Sequence, residues 1–236
     1  MKMLGIICAM AICFAIEEAN AQERLNKSHI KFPKPLISQI SLQVGPMFSY
    51  PIIIKDPGRK RSVDVGVAAT ISVNRKFNDW FSVGASASYE PKGYKAIYHR
   101  VNEVVIPNRE EKVIATAKLR YLSAAIVSRF MPFKRIPLYI GFGPYLGYLM
   151  KLQSVTEVYS SGKLLFKQTT AQKPSGFVNY DYGINAAVGC NVPLTANLLI
   201  TVEGKYVRGL TMINKSYIGK VTNNAFAIVV GITLLR

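Results

Sequence analysis

The stretch "IPLYIGFGPYLGYLM", Ile136 to Met150, decides how the chain is read. Its fifteen residues carry no charge, yet they include three glycines and two prolines. A helix through it would lose a backbone hydrogen bond at Pro144 and bear the entropic cost of the glycines. It is also shorter than the ~20 residues a membrane-spanning helix needs. As a strand the same residues separate cleanly. Leu138, Ile140, Phe142, Leu146, Tyr148 and Met150 fall on one face; Tyr139, Gly141, Gly143, Tyr145 and Gly147 fall on the other. A tilted strand crosses a bilayer in about nine to eleven residues, so the length is ample. Pro144 has no N–H for a ladder, and a bulge or an unpaired site is expected there.

The same period of two recurs along the chain. From Val63 to Val73 the odd positions are apolar and the even ones polar or small; Phe81–Tyr89 and Tyr180–Gly189 alternate likewise. Near the end Phe226, Ile228, Val230, Ile232 and Leu234 form one stripe. Alternation over such lengths indicates strands. Eight segments follow: 38–50, 62–75, 80–93, 115–130, 137–151, 178–192, 197–209 and 223–235. In the fourth, Leu122, Ala124, Ala125, Ile126 and Val127 crowd together after Lys118 and Arg120, which leaves its outward face ambiguous and suggests a bulge.

The connections alternate in length. Short ones run through Phe77-Asn78-Asp79, Met131–Ile136 and Pro193–Ala196. The others are long and basic, and 94–114 and 152–177 are read as the longest loops. Alternating short and long connections match an antiparallel, up-and-down, all-β transmembrane barrel of eight strands, with short turns in the periplasm. A soluble sandwich would turn its apolar faces inward. In a barrel these faces meet lipid, and the second face lines a lumen too narrow for an open channel. Here the second face is expected to hold a lumen charge network of Asp64, Glu90, Lys118, Arg120, Asp181, Glu203 and Lys205. Residues such as Trp80, Phe81, Tyr89 and Tyr148 sit near strand ends, where interfacial girdles form.

The N-terminus predicts export. Met1-Lys2-Met3 is a short positive start, Leu4 to Ile16 an apolar core, and Ala19-Asn20-Ala21 a cleavage site. The expected organisation is a cleaved signal peptide over 1–21, a periplasmic segment over 22–37 and the barrel over 38–236.

Lys and Arg total 30 against 13 Asp and Glu, a formal charge of +17. On an exported chain this points away from nucleic acid and toward an anionic membrane face. Basic residues assigned to the long-loop side include Lys92, Lys95, Lys112, Lys163 and Lys167. Arg59-Lys60-Arg61 is expected to be a basic external loop facing outer-membrane lipid and lipopolysaccharide.

Enzyme chemistry finds little purchase. His29 and His99 are the only histidines, and beyond the signal segment Cys190 is the only cysteine. No metal site, cofactor or catalytic set is expected. His99, with Tyr98, Glu103, Glu110 and Glu111 nearby, is the nearest approach to an acid–base cluster. Gly141, Gly143 and Gly147 lack the Lys-Ser/Thr of a phosphate loop and read as lumen-facing positions.

"RYLSAAIV" (120–127), "PLYIGFGPYLGYLM" (137–150), "YDYGINAAVG" (180–189) and "EGKYVRGLTMIN" (203–214) occur in an order that resembles the PorT-like outer-membrane barrels of Bacteroidetes. The resemblance covers strands four to seven. It implies a single barrel in a Gram-negative outer membrane and, through the name-giving member, an accessory role in surface assembly or type IX protein secretion. A barrel that binds a small ligand or offers a narrow pore is the alternative.

Overall fold

A computed structural model describes residues 38–54, 60–102, 109–133, 137–171, 178–214 and 220–236. The signal-peptide and periplasmic-segment expectations, and Arg59, lie outside these residues. The strands are β1 (Gln39–Ile54), β2 (Lys60–Ser62), β3 (Asp64–Lys76), β4 (Phe81–Asn102), β5 (Arg109–Phe130), β6 (Leu138–Ser160), β7 (Lys163–Thr170), β8 (Tyr180–Thr195), β9 (Leu198–Asn214) and β10 (Lys220–Leu235).

Eight of them form a ring, β1-β3-β4-β5-β6-β8-β9-β10, every neighbour antiparallel. β1 pairs with β10 from Gln39↔Leu235 to Ile54↔Lys220, which closes the barrel. β2 and β7 are short additions that pair with β4 and β6 beyond the long-connection end of the ring. Among the described residues no helix is long and apolar enough to cross a membrane.

Alternation sets which way each side chain points. On β6, Ile140, Phe142, Leu146, Tyr148 and Met150 are about half exposed, while Tyr139 and Tyr145 are buried inside. Val65, Val67 and Ile71 on β3, and Val230, Ile232 and Leu234 on β10, continue this apolar outer belt around the ring. Such a surface is stable only against lipid. At the short-turn end Trp80, Phe81, Phe130 and Phe77 cluster, with Phe81 and Phe130 rings 5.1 Å apart. At the other end Tyr148 and Tyr180 meet at 5.5 Å. These two levels are the girdles that the sequence led us to expect.

Three expectations meet the structure here. First, of the bulge or unpaired site expected at Pro144 the second is found: there is no bulge, and the ladder has a gap on one side. The pairing of Pro144 with β8 is continuous, Gly143↔Asn185 through Tyr145↔Gly183. Toward β5 the ladder lapses opposite Ile126 and Val127, then resumes in the same register at Ser128↔Phe142. The missing donor is thus absorbed without an extra residue. A Cβ on Gly143 would collide with the Ile126 carbonyl oxygen, so the glycine lets the two backbones approach closely there. Gly45-Pro46 on β1 behaves identically toward β10, with the ladder lapsing between Val44↔Val230 and Met47↔Ala227.

Second, β5 itself is regular, pairing with β4 without a shift over its whole length. Leu122 and Ile126 face out; Ser123 and Ala125 face in. The bulge belongs to its other neighbour. Arg120↔Lys151 is followed by Tyr121↔Leu149, so Met150 is the extra residue and both Met150 and Lys151 point outward.

Third, much of the supposed loop structure is strand. β4 and β5 stay paired out to Asn102↔Arg109. β6 runs to Ser160 and turns through Ser161 (φ 50°) and Gly162 (φ 77°) into β7. Two successive left-handed residues give the primed turn that matches strand twist, and a glycine at the second position makes it accessible.

Candidate functional site: the filled lumen

Inward side chains stack in layers because residues two apart on each strand share a face. Midway up the barrel Met47, Ala68, Ala125, Tyr145, Val207 and Ala227 are packed together. Toward the outer end Leu119, Tyr121, Leu149, Leu152 and Val221 form a second apolar layer.

Around these layers sits a connected set of charges. Lys92 Nζ lies 3.0 Å from both Glu90 Oε2 and Asp181 Oδ2. Lys205 Nζ donates to Glu90 Oε1 at 2.9 Å, and Ser123 Oγ donates to Glu90 Oε2 at 2.9 Å. Asp181 Oδ2 also accepts from Tyr145 OH and Asn223 Nδ2, each at 3.0 Å. The Lys92 ammonium stands 4.4 Å from the Tyr145 ring centroid and 5.1 Å from that of Tyr121. Nearer the short-turn end, Tyr139 OH donates to Glu203 Oε2 at 2.5 Å; Arg129 Nη2 reaches the same oxygen at 3.4 Å and its guanidinium covers the Tyr139 ring. Three anions thus face three cations. Removing one charge from such a site leaves its partner buried and unpaired, which is the costly case.

Of the residues expected in the lumen network, Glu90, Asp181 and Lys205 are joined, and Glu203 pairs with Arg129. Asp64 is buried beside Gly93 but makes no ion pair with this set. Lys118 and Arg120 are elsewhere: β5 turns Leu119 and Tyr121 inward, so both cations lie on the outer face. Lys92, assigned to the loop side, is instead 1% exposed at the centre of the cluster. It follows Pro91 within a continuous strand, two residues after Glu90, and that spacing was the available signal. Arg129 had the same signal, four residues from Ala125 on the inward face.

Below the mid-lumen layer a cavity of about 20 Å³ remains between Gln43, Ser72, Asn74, Arg129, Asn185 and Glu203. That is room for about one water molecule. Gln43 Nε2, Ser72 Oγ, Asn74 Nδ2, Arg129 Nε and Asn185 Nδ2 have no protein partner, which accords with a hydrated pocket. Gly141 and Gly147 face inward as expected, against Val127 and Ser123 respectively.

Outside the lumen, Lys60 and Arg61 belong to β2, paired with Ile97 and Ala96. His99 is exposed on β4 opposite Lys112, and Glu111 is buried. Among the described residues no three His, Cys, Asp or Glu side chains gather as a metal site. At the open hairpin Lys167 Nζ and Glu157 Oε1 are 2.8 Å apart, which lowers the Glu157 carboxyl and raises Lys167.

The family model described as "Outer membrane protein beta-barrel domain" matches residues 26–214. The chain belongs to that family. This outer-membrane barrel therefore crosses the membrane with its strands, and its belt of exposed apolar side chains is the lipid-facing wall. No curated protein matches the sequence. Among solved structures, it is similar to Ail, the attachment invasion locus protein of Yersinia pestis, at 14% identity and TM-score 0.37, over 83% of this chain and 98% of that one. AlkL in lipid bilayers is 13% identical with TM-score 0.43, over 89% and 96%. The outer membrane protease OmpT from Escherichia coli is 9% identical with TM-score 0.37, over 89% and 99%.

Proposed function

We propose that this outer-membrane barrel is a closed, non-enzymatic stave ring that serves a structural or accessory role in surface assembly or protein secretion. The observation that carries this reading is the filled lumen. Asp181, Glu90, Lys92, Leu119 and Tyr121 are each at most 2% exposed, and they occupy the middle of the ring from several strands. A narrow-pore or ligand-carrying barrel needs a polar path of water width, and the apolar layers interrupt one. With the lumen closed, what remains for function is the outer wall and the strands that rise past it, β4 to β7. The PorT-like order of motifs in strands four to seven supports secretion, type IX in particular, as the setting. The Arg59-Lys60-Arg61 segment is assigned to contact with lipopolysaccharide.

Purified protein in planar bilayers should give no stepwise ionic current. Discrete conductance steps that vanish when the protein is heat-denatured would sink the closed-barrel reading. For the cellular role, deleting the gene should alter the set of surface and secreted proteins; an unchanged set would remove the secretion proposal.

A further inference from the structure

Lys118 and Arg120 on β5, with Lys151 on β6, make a group of three cations rooted on the outward faces of their strands, Lys151 exposed and the other two half-buried, with the Arg120 guanidinium beside Gly66. We infer that this group is a binding site for the phosphate of an outer-leaflet lipid, of the lipid A type. The inference rests on the outer-membrane reading and does not depend on whether the lumen is closed.

Position is the first argument. Leu122 and Tyr148 are cross-strand partners at the upper edge of the apolar belt, both about half exposed. Moving outward on the same face, the next side chains are Arg120 and, across from it, Lys151; Lys118 follows. The cations therefore stand immediately above the interfacial tyrosines, where lipid phosphates lie.

Local architecture is the second. Lys151 would point into the lumen if β6 were regular. The extra residue Met150 turns it outward, beside Arg120, and re-aiming a side chain is a typical effect of a bulge. Arg120 and Lys151 are then directly paired like charges, which is unfavourable without an anion between or above them. Among the described residues no carboxylate forms an ion pair with the three. The other cross-strand partners are Pro91, Gly93 and Gln153. Asp64, beyond Gly93, forms no ion pair with any of the three. A phosphate ester satisfies the group, since a guanidinium grips it bidentately and ammonium groups add point charges. Met150 and Leu122, just below, fit the acyl chains of the same molecule.

The test uses the full chain refolded into phosphatidylcholine vesicles with or without bisphosphorylated lipid A, and a third arm in which inorganic phosphate is added as a competitor to the lipid A vesicles. The readout is lipid A retained per barrel after dilution, with heat-modifiable gel mobility as the check of folding. Neutralising all three cations (Lys118→Gln, Arg120→Gln, Lys151→Gln) should weaken retention about a hundredfold at low salt, about fivefold for each cation. Lys151→Gln alone should show the fivefold loss if the triple variant fails to fold. Arg75→Gln, at the opposite rim, should change nothing. Equal retention by wild type and Lys151→Gln would overturn the site, as would complete displacement of lipid A from the wild type by inorganic phosphate.

Discussion

Replacing Lys92 with methionine tests the lumen cluster most directly. The substitution keeps most of the side-chain volume and removes one charge that touches two carboxylates at 3.0 Å each. Glu90 retains Lys205 and Ser123; Asp181 retains only the neutral donors Tyr145 and Asn223. Asp181 is completely buried, so its charge has no solvent to fall back on. Breaking a buried pair on one side costs about 3–5 kcal/mol, and losing the ammonium over two tyrosine rings adds roughly 1 kcal/mol. Lys92→Met should therefore destabilise the barrel by about 4–6 kcal/mol. The companion variant Lys92→Met with Asp181→Asn removes the orphaned charge while Glu90–Lys205 stays intact, and should recover more than half of the loss. Urea titration in vesicles, followed by tryptophan fluorescence, measures both. A loss below about 1 kcal/mol for the single variant, or an additive double variant, would refute the claim that this charge is held by its partners.

Three further outcomes follow from the geometry. Gly143→Ala places a Cβ on the Ile126 carbonyl oxygen, a backbone atom that cannot rotate away, and should destabilise by about 1–3 kcal/mol in the same titration. Trp80 is the only tryptophan and sits in the aromatic cluster at the short-turn rim; lipids brominated near the headgroup should quench it more strongly than lipids brominated near the acyl-chain end. The Glu157–Lys167 pair should govern fraying of the β6–β7 hairpin with pH. Glu157 is lowered in the fold, so its contribution is present above the ordinary carboxylate value of about 4.3 and lost as pH falls through the folded value. Lys167 is raised, so its contribution holds below about 10.4 and goes as pH rises beyond the folded value. Hydrogen exchange of β7 amides, corrected for intrinsic rates, should show greatest protection between those limits, and flat protection would refute the coupling.

The barrel was legible in the sequence because each stave alternates on its own account. β3, β6 and β10 could be oriented without knowing their neighbours. Lys118 and Arg120 could not. The crowding after Leu122 hides the face of β5, and the irregularity that looks as if it belongs there is a residue inserted in β6. A bulge is a relation between two strands, so one strand read alone cannot assign it. Lys92 was missed for a different reason. "EPKGY" has the composition of a loop, yet Pro91 and Gly93 lie within the ladder that pairs β4 with β5. The external hairpins are hidden in the sequence by their charge, and the Ser161-Gly162 turn that joins β6 to β7 shows only in the backbone. What the lumen pairs would be lay beyond reach, since Lys92 and Asp181 are joined only once the ring closes.

The two Gly-Pro pairs, Gly45-Pro46 and Gly143-Pro144, stand on the first and fifth staves of eight. Each drops its rungs on one side only, between β1 and β10 and between β6 and β5. These gaps lie opposite one another and divide the cylinder into two half-shells, β1-β3-β4-β5 and β6-β8-β9-β10. Lys92–Asp181, Lys205–Glu90 and Arg129–Glu203 each reach from one half-shell to the other. The buried charges are therefore clasps across a pair of weakened hinges, and the first motion expected when they are cut is a parting of the shells along the two proline lines.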